Sequence, residues 1–145
     1  MSYLVKDYLT KDVITVTTES TITEASKVMA ADKNVEGYAV VLENDQPIGM
    51  VTERDLVNKV LATELDPAKT KVSEVMSTPL ITVDPDEDLL KASTLMREKN
   101  VRKLVVMKDG IIYGIVTAKD IAQQCGDYVD KSIREIVRWT APLNI

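Results

Sequence analysis

The sequence predicts an α/β protein built from tandem βαββα repeats that pack sheet to sheet with pseudo-two-fold symmetry. Three observations predict it: the chain says nearly the same thing twice, each copy alternates short β-branched runs with one-sided apolar stripes, and neither copy is large enough to cover its own core. The stretch "VKDYLTKDVITV" (5–16) lies on "VSEVMSTPLITV" (72–83), and "ITEASKVM" (22–29) lies on "LLKASTLM" (89–96). Further along, "DKNV" (32–35) falls on "EKNV" (98–101), and "GMVTERDL" (49–56) on "GIVTAKDI" (114–121). The expected organisation is a first repeat over 1–62, a polar linker over 63–71, a second repeat over 72–125 and a helical extension over 126–145.

Within each repeat the elements follow in order. The runs "VITV" and "LITV" have the β-branched, apolar character of a buried strand. A helix follows each. The first starts at Thr21, which with Glu24 has capping-box spacing, and Ile22, Ala25, Val28 and Met29 then recur on one face. The second starts in "DPDED" (84–88), whose carboxylates suit the positive end of a helix, and continues with Leu89, Ala92, Leu95 and Met96. Two hairpins come next, "YAVVL" to "IGMVT" across "ENDQP", and "LVVM" to "IIYGIVT" across "KDG". The closing helices carry Leu56, Val57, Val60 and Leu61, or Ile121, Ala122 and Cys125. Two such small units bury their strands against each other and leave helix surface for a partner.

Composition narrows the function. The 145 residues are 45% hydrophobic with a net charge of −5, a globular balance that repels a phosphate backbone and indicates no nucleic-acid partner. The longest charge-free apolar runs are strand-sized, and no signal-peptide core opens the chain, so a cytoplasmic protein off the membrane is expected. With no histidine in the sequence, a His base, a Ser/His or Cys/His nucleophile and a His metal ligand are all excluded. The single cysteine, Cys125, forms no internal disulfide and reads as a packed thiol. No catalytic residue and no metal site is expected.

The phrase that ends each repeat admits two readings. Thr52 stands three residues before Asp55, and Thr117 three before Asp120. A threonine and an aspartate at that spacing can cap a helix reciprocally, which needs no ligand. The same strand-to-helix junction also offers a positive dipole end, and its carboxylate can accept two adjacent ribose hydroxyls.

The tandem units, the openings "VKDYL" and "VSEVM", the strands "YAVV" and "LVVM", and the twice-used G-h-V-T-x-x-D-h ending, h being apolar, together resemble a pair of cystathionine-β-synthase (CBS) domains over residues 5 to about 125. The resemblance implies a non-enzymatic regulatory module that binds AMP, ADP, ATP, S-adenosylmethionine or NAD in clefts between the repeats and forms a homodimer. It implies that Met50, Thr52, Arg54 and Asp55 share one cleft with Pro79, Ile81, Val101, Arg102 and Lys103. The second cleft would join Ile115, Thr117, Lys119 and Asp120 to Asp12, Ile14, Val35 and Glu36. Because basic Arg102 and Lys103 correspond to Glu36 and Gly37, the Thr52/Asp55 cleft is expected to be the better nucleotide site. The other is expected to be empty, weak or suited to a less anionic ligand. The alternative is a protein–protein interaction or scaffold module whose clefts are vestigial, with an effector protein as partner.

The tail "YVDKSIREIVRWTAPLNI" (128–145) lies outside the repeats. Val129, Ile133, Ile136 and Val137 share a helical face there, which is read as docking onto the module or its dimer mate; the alternative is a contact for an effector protein or nucleic acid through Lys131, Arg134, Arg138 and Trp139.

Overall fold

The structure is a computed structural model that describes residues 3–31 and 37–125. Val35, Glu36 and the helical extension expected over 126–145 lie outside the described residues. The chain divides into two compact units, Asp12–Ile81 and a second formed by Met1–Lys11 with Thr82–Ile145. Each holds a mixed three-stranded sheet.

In the first unit β1 (Thr15–Thr17) pairs in parallel with β2 (Tyr38–Glu43), and β2 pairs antiparallel with β3 (Gln46–Thr52). Asn44 and Asp45 turn the β2–β3 hairpin at φ 52° and 63°, a left-handed pair whose twist matches that of the flanking strands. Helix α1 (Ile22–Ala31) begins where Thr21 Oγ1 accepts the Glu24 N–H at 3.1 Å. It buries Ile22, Ala25 and Met29. Val28, read as part of that face, is 42% exposed instead, because one residue before Met29 is a 100° step away from the stripe's centre. The closing helix starts as α2 (Glu53–Leu56) and widens into a π turn over Val57–Leu61. Val60 is buried, whereas Val57 and Leu61, one turn apart, are 53% and 65% exposed.

The linker is tied down rather than loose. Ile22 N–H donates to Thr70 O at 2.9 Å and Thr23 N–H to Pro67 O at 3.1 Å, so residues 67–70 cap the start of α1. The 3₁₀ turn Val72–Glu74 follows, with Val72 N–H on Ser20 O at 2.8 Å. The opening of the second repeat therefore packs in the unit that holds the first repeat's sheet.

The second unit repeats this arrangement. β4 (Thr82–Val83) lies parallel to β5 (Lys103–Lys108), which pairs antiparallel with β6 (Ile111–Thr117) through a turn at Asp109 and Gly110. Helix α3 (Leu89–Lys99) is capped by Asp88, whose Oδ1 accepts the Leu90 N–H at 2.7 Å, and ends on left-handed Asn100. Helix α4 (Ala118–Cys125) closes the unit. The chain's own opening is built in here: Val5 N–H donates to Glu87 O and Lys6 N–H to Pro85 O, both at 2.9 Å. The acidic run "DPDED" is occupied by these neighbours. Lys108 and Lys6 each lie 3.1 Å from Asp86, and their hydrogen bonds, that of Lys108 first, and then their charge hold its carboxyl below the ordinary carboxylate range. Asp88 is the cap expected of the run.

No helix among the described residues is long and apolar enough to cross a membrane. Among those residues no cluster of three or more Asp, Glu or Cys could hold a metal ion.

Candidate functional site

Each repeated phrase begins with a glycine that lets another segment of backbone come close. Gly49 on β3 lies under the segment that follows the Val72–Glu74 turn: Met50 N–H donates to Ser77 O at 3.1 Å, and Ser77 N–H to Met50 O at 2.8 Å. A Cβ on Gly49 would stand 2.7 Å from Ser77 O. Gly114 on β6 plays the same part for the N-terminal segment, where Thr10 and Ile115 exchange backbone bonds of 2.8 and 2.9 Å. In the sequence these glycines stand out only as markers of the repeat.

Beyond each glycine the strand feeds a helix. At the first copy Thr52 Oγ1 accepts the Asp55 N–H at 3.2 Å, and Asp55 Oδ2 accepts from Thr52 N–H at 2.9 Å and from the Thr52 hydroxyl at 3.1 Å. The reciprocal capping box is complete. Glu53 N–H is taken by Gly37 O at 2.9 Å, so two of the first three amide groups of α2 are satisfied within the protein. Asp55 is 8% exposed, and its other oxygen, Oδ1, lies 3.0 Å from Lys59 Nζ and 3.4 Å from Ser77 Oγ. Lys59 Nζ also donates to Val75 O at 3.0 Å. Neither Lys59 nor Ser77 was expected at the site.

The second copy is built alike but filled differently. Thr117 Oγ1 accepts the Asp120 N–H at 2.9 Å, and Ala118 N–H donates to Arg102 O at 2.9 Å. The half-buried Asp120 has a carboxylate that makes no hydrogen bond or ion pair among the described residues.

The remaining residues expected at the clefts are distributed as follows. Met50, Thr52, Arg54, Asp55, Pro79 and Ile81 share the first unit, with Arg54 and Pro79 exposed and Ile81 half-buried. Ile115, Thr117, Lys119 and Asp120 share the second unit with half-buried Val101, Arg102 and Lys103. Lys103 pairs across the hairpin with Thr117. The basic residues grouped with Thr52 on resemblance therefore belong to the same unit as Thr117. Asp12 and Ile14 fall in the first unit, where Asp12 O accepts from the Tyr38 hydroxyl at 3.4 Å and Ile14 O from Val40 N–H at 2.9 Å.

A sequence model of the CBS domain matches residues 5–62 and 72–126. The CBS domain-containing protein YhcV of Bacillus subtilis is 39% identical over 118 residues, covering 81% of this chain and 82% of that protein. An uncharacterized protein of Methanopyrus kandleri, MK0525, is also 39% identical, over 78% of this chain, which spans only 58% of its relative's length. Among solved structures, the CBS domain pair of protein MJ0100 in complex with 5′-methylthioadenosine and S-adenosyl-L-methionine matches with a TM-score of 0.77 and 28% identity, covering 89% of this chain and 100% of that one.

Proposed function

The chain belongs to the CBS domain family, carrying two of its repeats, and from that premise we propose that it is a non-enzymatic regulatory module that senses an adenosine-containing ligand. The observation that carries the reading is the half-buried Asp120 carboxylate, beside the Thr117 cap and without a protein partner among the described residues. A carboxylate with no protein donor on it keeps its acceptor positions open, and the vicinal hydroxyls of a ribose supply two donors. The complex of MJ0100 with two adenosyl ligands supports this chemistry.

On this reading Thr117 and Asp120 hold the ribose at one site and Thr52 and Asp55 at the other, and Arg102 and Lys103 supply positive charge for a phosphate. The two sites are unequal. Charge alone favoured the Asp55 copy, but hydrogen-bond accounting reverses the order for a ligand arriving at the resting protein, because Asp55 is already engaged and Asp120 is not. A thermal-shift panel of AMP, ADP, ATP, NAD and S-adenosylmethionine tests the reading. At least one is expected to raise Tm by several degrees, a ligand at about a hundred times its Kd contributing roughly 2.7 kcal/mol. Unchanged melting with all five would favour a scaffold with vestigial clefts.

Binding is transmitted, in this proposal, through a homodimer that covers Val57 and Leu61, large apolar side chains exposed on one face of the closing helix. The double variant Val57→Gln/Leu61→Gln is expected to sediment as a monomer where the parent sediments as a dimer, with its melting otherwise little changed. A parent that is monomeric at all concentrations would remove the dimer from the mechanism.

A further inference from the structure

We infer that Lys59 sets the ligand affinity and selectivity of the Asp55 copy by holding the carboxylate that a ribose diol needs; the inference rests on the adenosine-binding reading above. A carboxylate offers about four acceptor positions. At Asp55 all are used: Oδ2 by the Thr52 N–H and hydroxyl at 2.9 and 3.1 Å, Oδ1 by Lys59 Nζ at 3.0 Å and Ser77 Oγ at 3.4 Å. A diol can enter only if a protein donor leaves.

The donors differ in how readily they go. The Thr52 contacts belong to the capping box and come free only if the first turn of α2 opens. The Ser77 contact is long, and its segment is held to Met50 by two backbone bonds. Lys59 is the partner able to withdraw, since its side chain is 45% exposed and an ammonium regains full hydration in water. Its departure also releases Val75 O, so ligand entry loosens one tie between the closing helix and the segment that leads from Val75 toward Ile81.

The sequence carries an internal comparison. Aligning "GMVTERDLVNKV" with "GIVTAKDIAQQC" puts Gln124 where the first repeat has Lys59, so the second copy has no cation at that place. The copy whose carboxylate is engaged has the lysine, and the copy whose carboxylate is open has the amide.

The test uses the full chain carrying Asp120→Ala, so that only the Asp55 copy can hold a diol, titrated calorimetrically with adenosine and with 2′,3′-dideoxyadenosine. Adding Lys59→Met is expected to tighten adenosine about five- to tenfold and leave dideoxyadenosine unchanged. Lys59→Arg, which keeps the cation, is expected to stay near the parent. Lys59→Gln, which reproduces the other repeat, is expected to tighten adenosine as Lys59→Met does and serves if the methionine variant folds poorly. Weaker or unchanged adenosine binding in both neutral variants, or equal tightening of both nucleosides, overturns the role of Lys59 while leaving the ligand reading intact. Failure of the Asp120→Ala chain and of every Lys59 variant to bind adenosine overturns the role of Lys59, and failure of the unsubstituted chain as well overturns both.

Discussion

Replacing Gly114 by alanine is expected to lower stability by about 2–5 kcal/mol and to expose the N-terminal segment to protease. Two costs add at this position. Gly114 has φ 157°, where a side chain is strained, and a Cβ would stand 2.4 Å from Thr10 O and 2.8 Å from Leu9 Cδ1. The nearest atom is backbone, held by the paired bonds between Thr10 and Ile115, so it cannot swing aside. Gly110→Ala is the control. Gly110 also has positive φ, 77°, but nothing lies within 4 Å of its Cβ position, so only conformational strain of about 1 kcal/mol is expected. Urea unfolding of both variants, with limited proteolysis to follow cleavage near Thr10, separates clash from strain. Equal losses in the two would mean that the approach of the N-terminal segment contributes nothing.

Asp55→Ala should destabilise the protein by about 1–3 kcal/mol, and Asp120→Ala by less than about 1 kcal/mol. The two aspartates occupy equivalent places in the repeated phrase. The structure separates them. Removing the Asp55 side chain takes the acceptor from Thr52 N–H, the Thr52 hydroxyl, Lys59 and Ser77 together, in a place that is 8% exposed. The Lys59 pair is the smaller part of that loss, because water screens an ammonium on a side chain 45% exposed. Removing the Asp120 side chain leaves the Thr117 cap on the backbone intact and costs mainly a favourable charge at the helix start. Denaturant melts of the single variants and of Asp55→Asn, which keeps one acceptor oxygen, measure the difference. A larger loss at Asp120 than at Asp55 would contradict this hydrogen-bond accounting.

Much of the fold was legible because the repeat marks its own punctuation. The segment "IIYGIVT" is β6 from end to end, and both hairpin turns fall where Asn44–Asp45 and Asp109–Gly110 can take left-handed backbone. The helix starts at Thr21, Thr52 and Asp88 follow from side-chain oxygens that accept the orphan amides of a first turn. The runs "VITV" and "LITV" were less informative: the paired strands shrink to Thr15–Thr17 and Thr82–Val83, close to where the chain passes from one compact unit to the other. Periodicity records which repeat a segment descends from, but not which sheet it packs on. At the site, the spacing of Thr52 and Asp55 announced a cap, whereas Ser77, 22 residues away, reaches the carboxylate only through tertiary pairing. Lys59 could have been found by asking where the two repeats disagree in charge, since Gln124 is its counterpart.

The opening segments have a consequence for how such a chain arises. Residues up to Lys11 complete the unit of the second repeat, and residues 72–81 complete that of the first. A single repeat with the same packing therefore lacks one piece of itself and has a spare piece to lend, a need that another molecule of the same kind can meet. Duplication within one gene turns that loan between molecules into a fixed exchange between neighbours, independent of concentration. With the partner segment on the same chain the two copies need not match, and they carry Lys59 and Gln124 at one place in the repeated phrase.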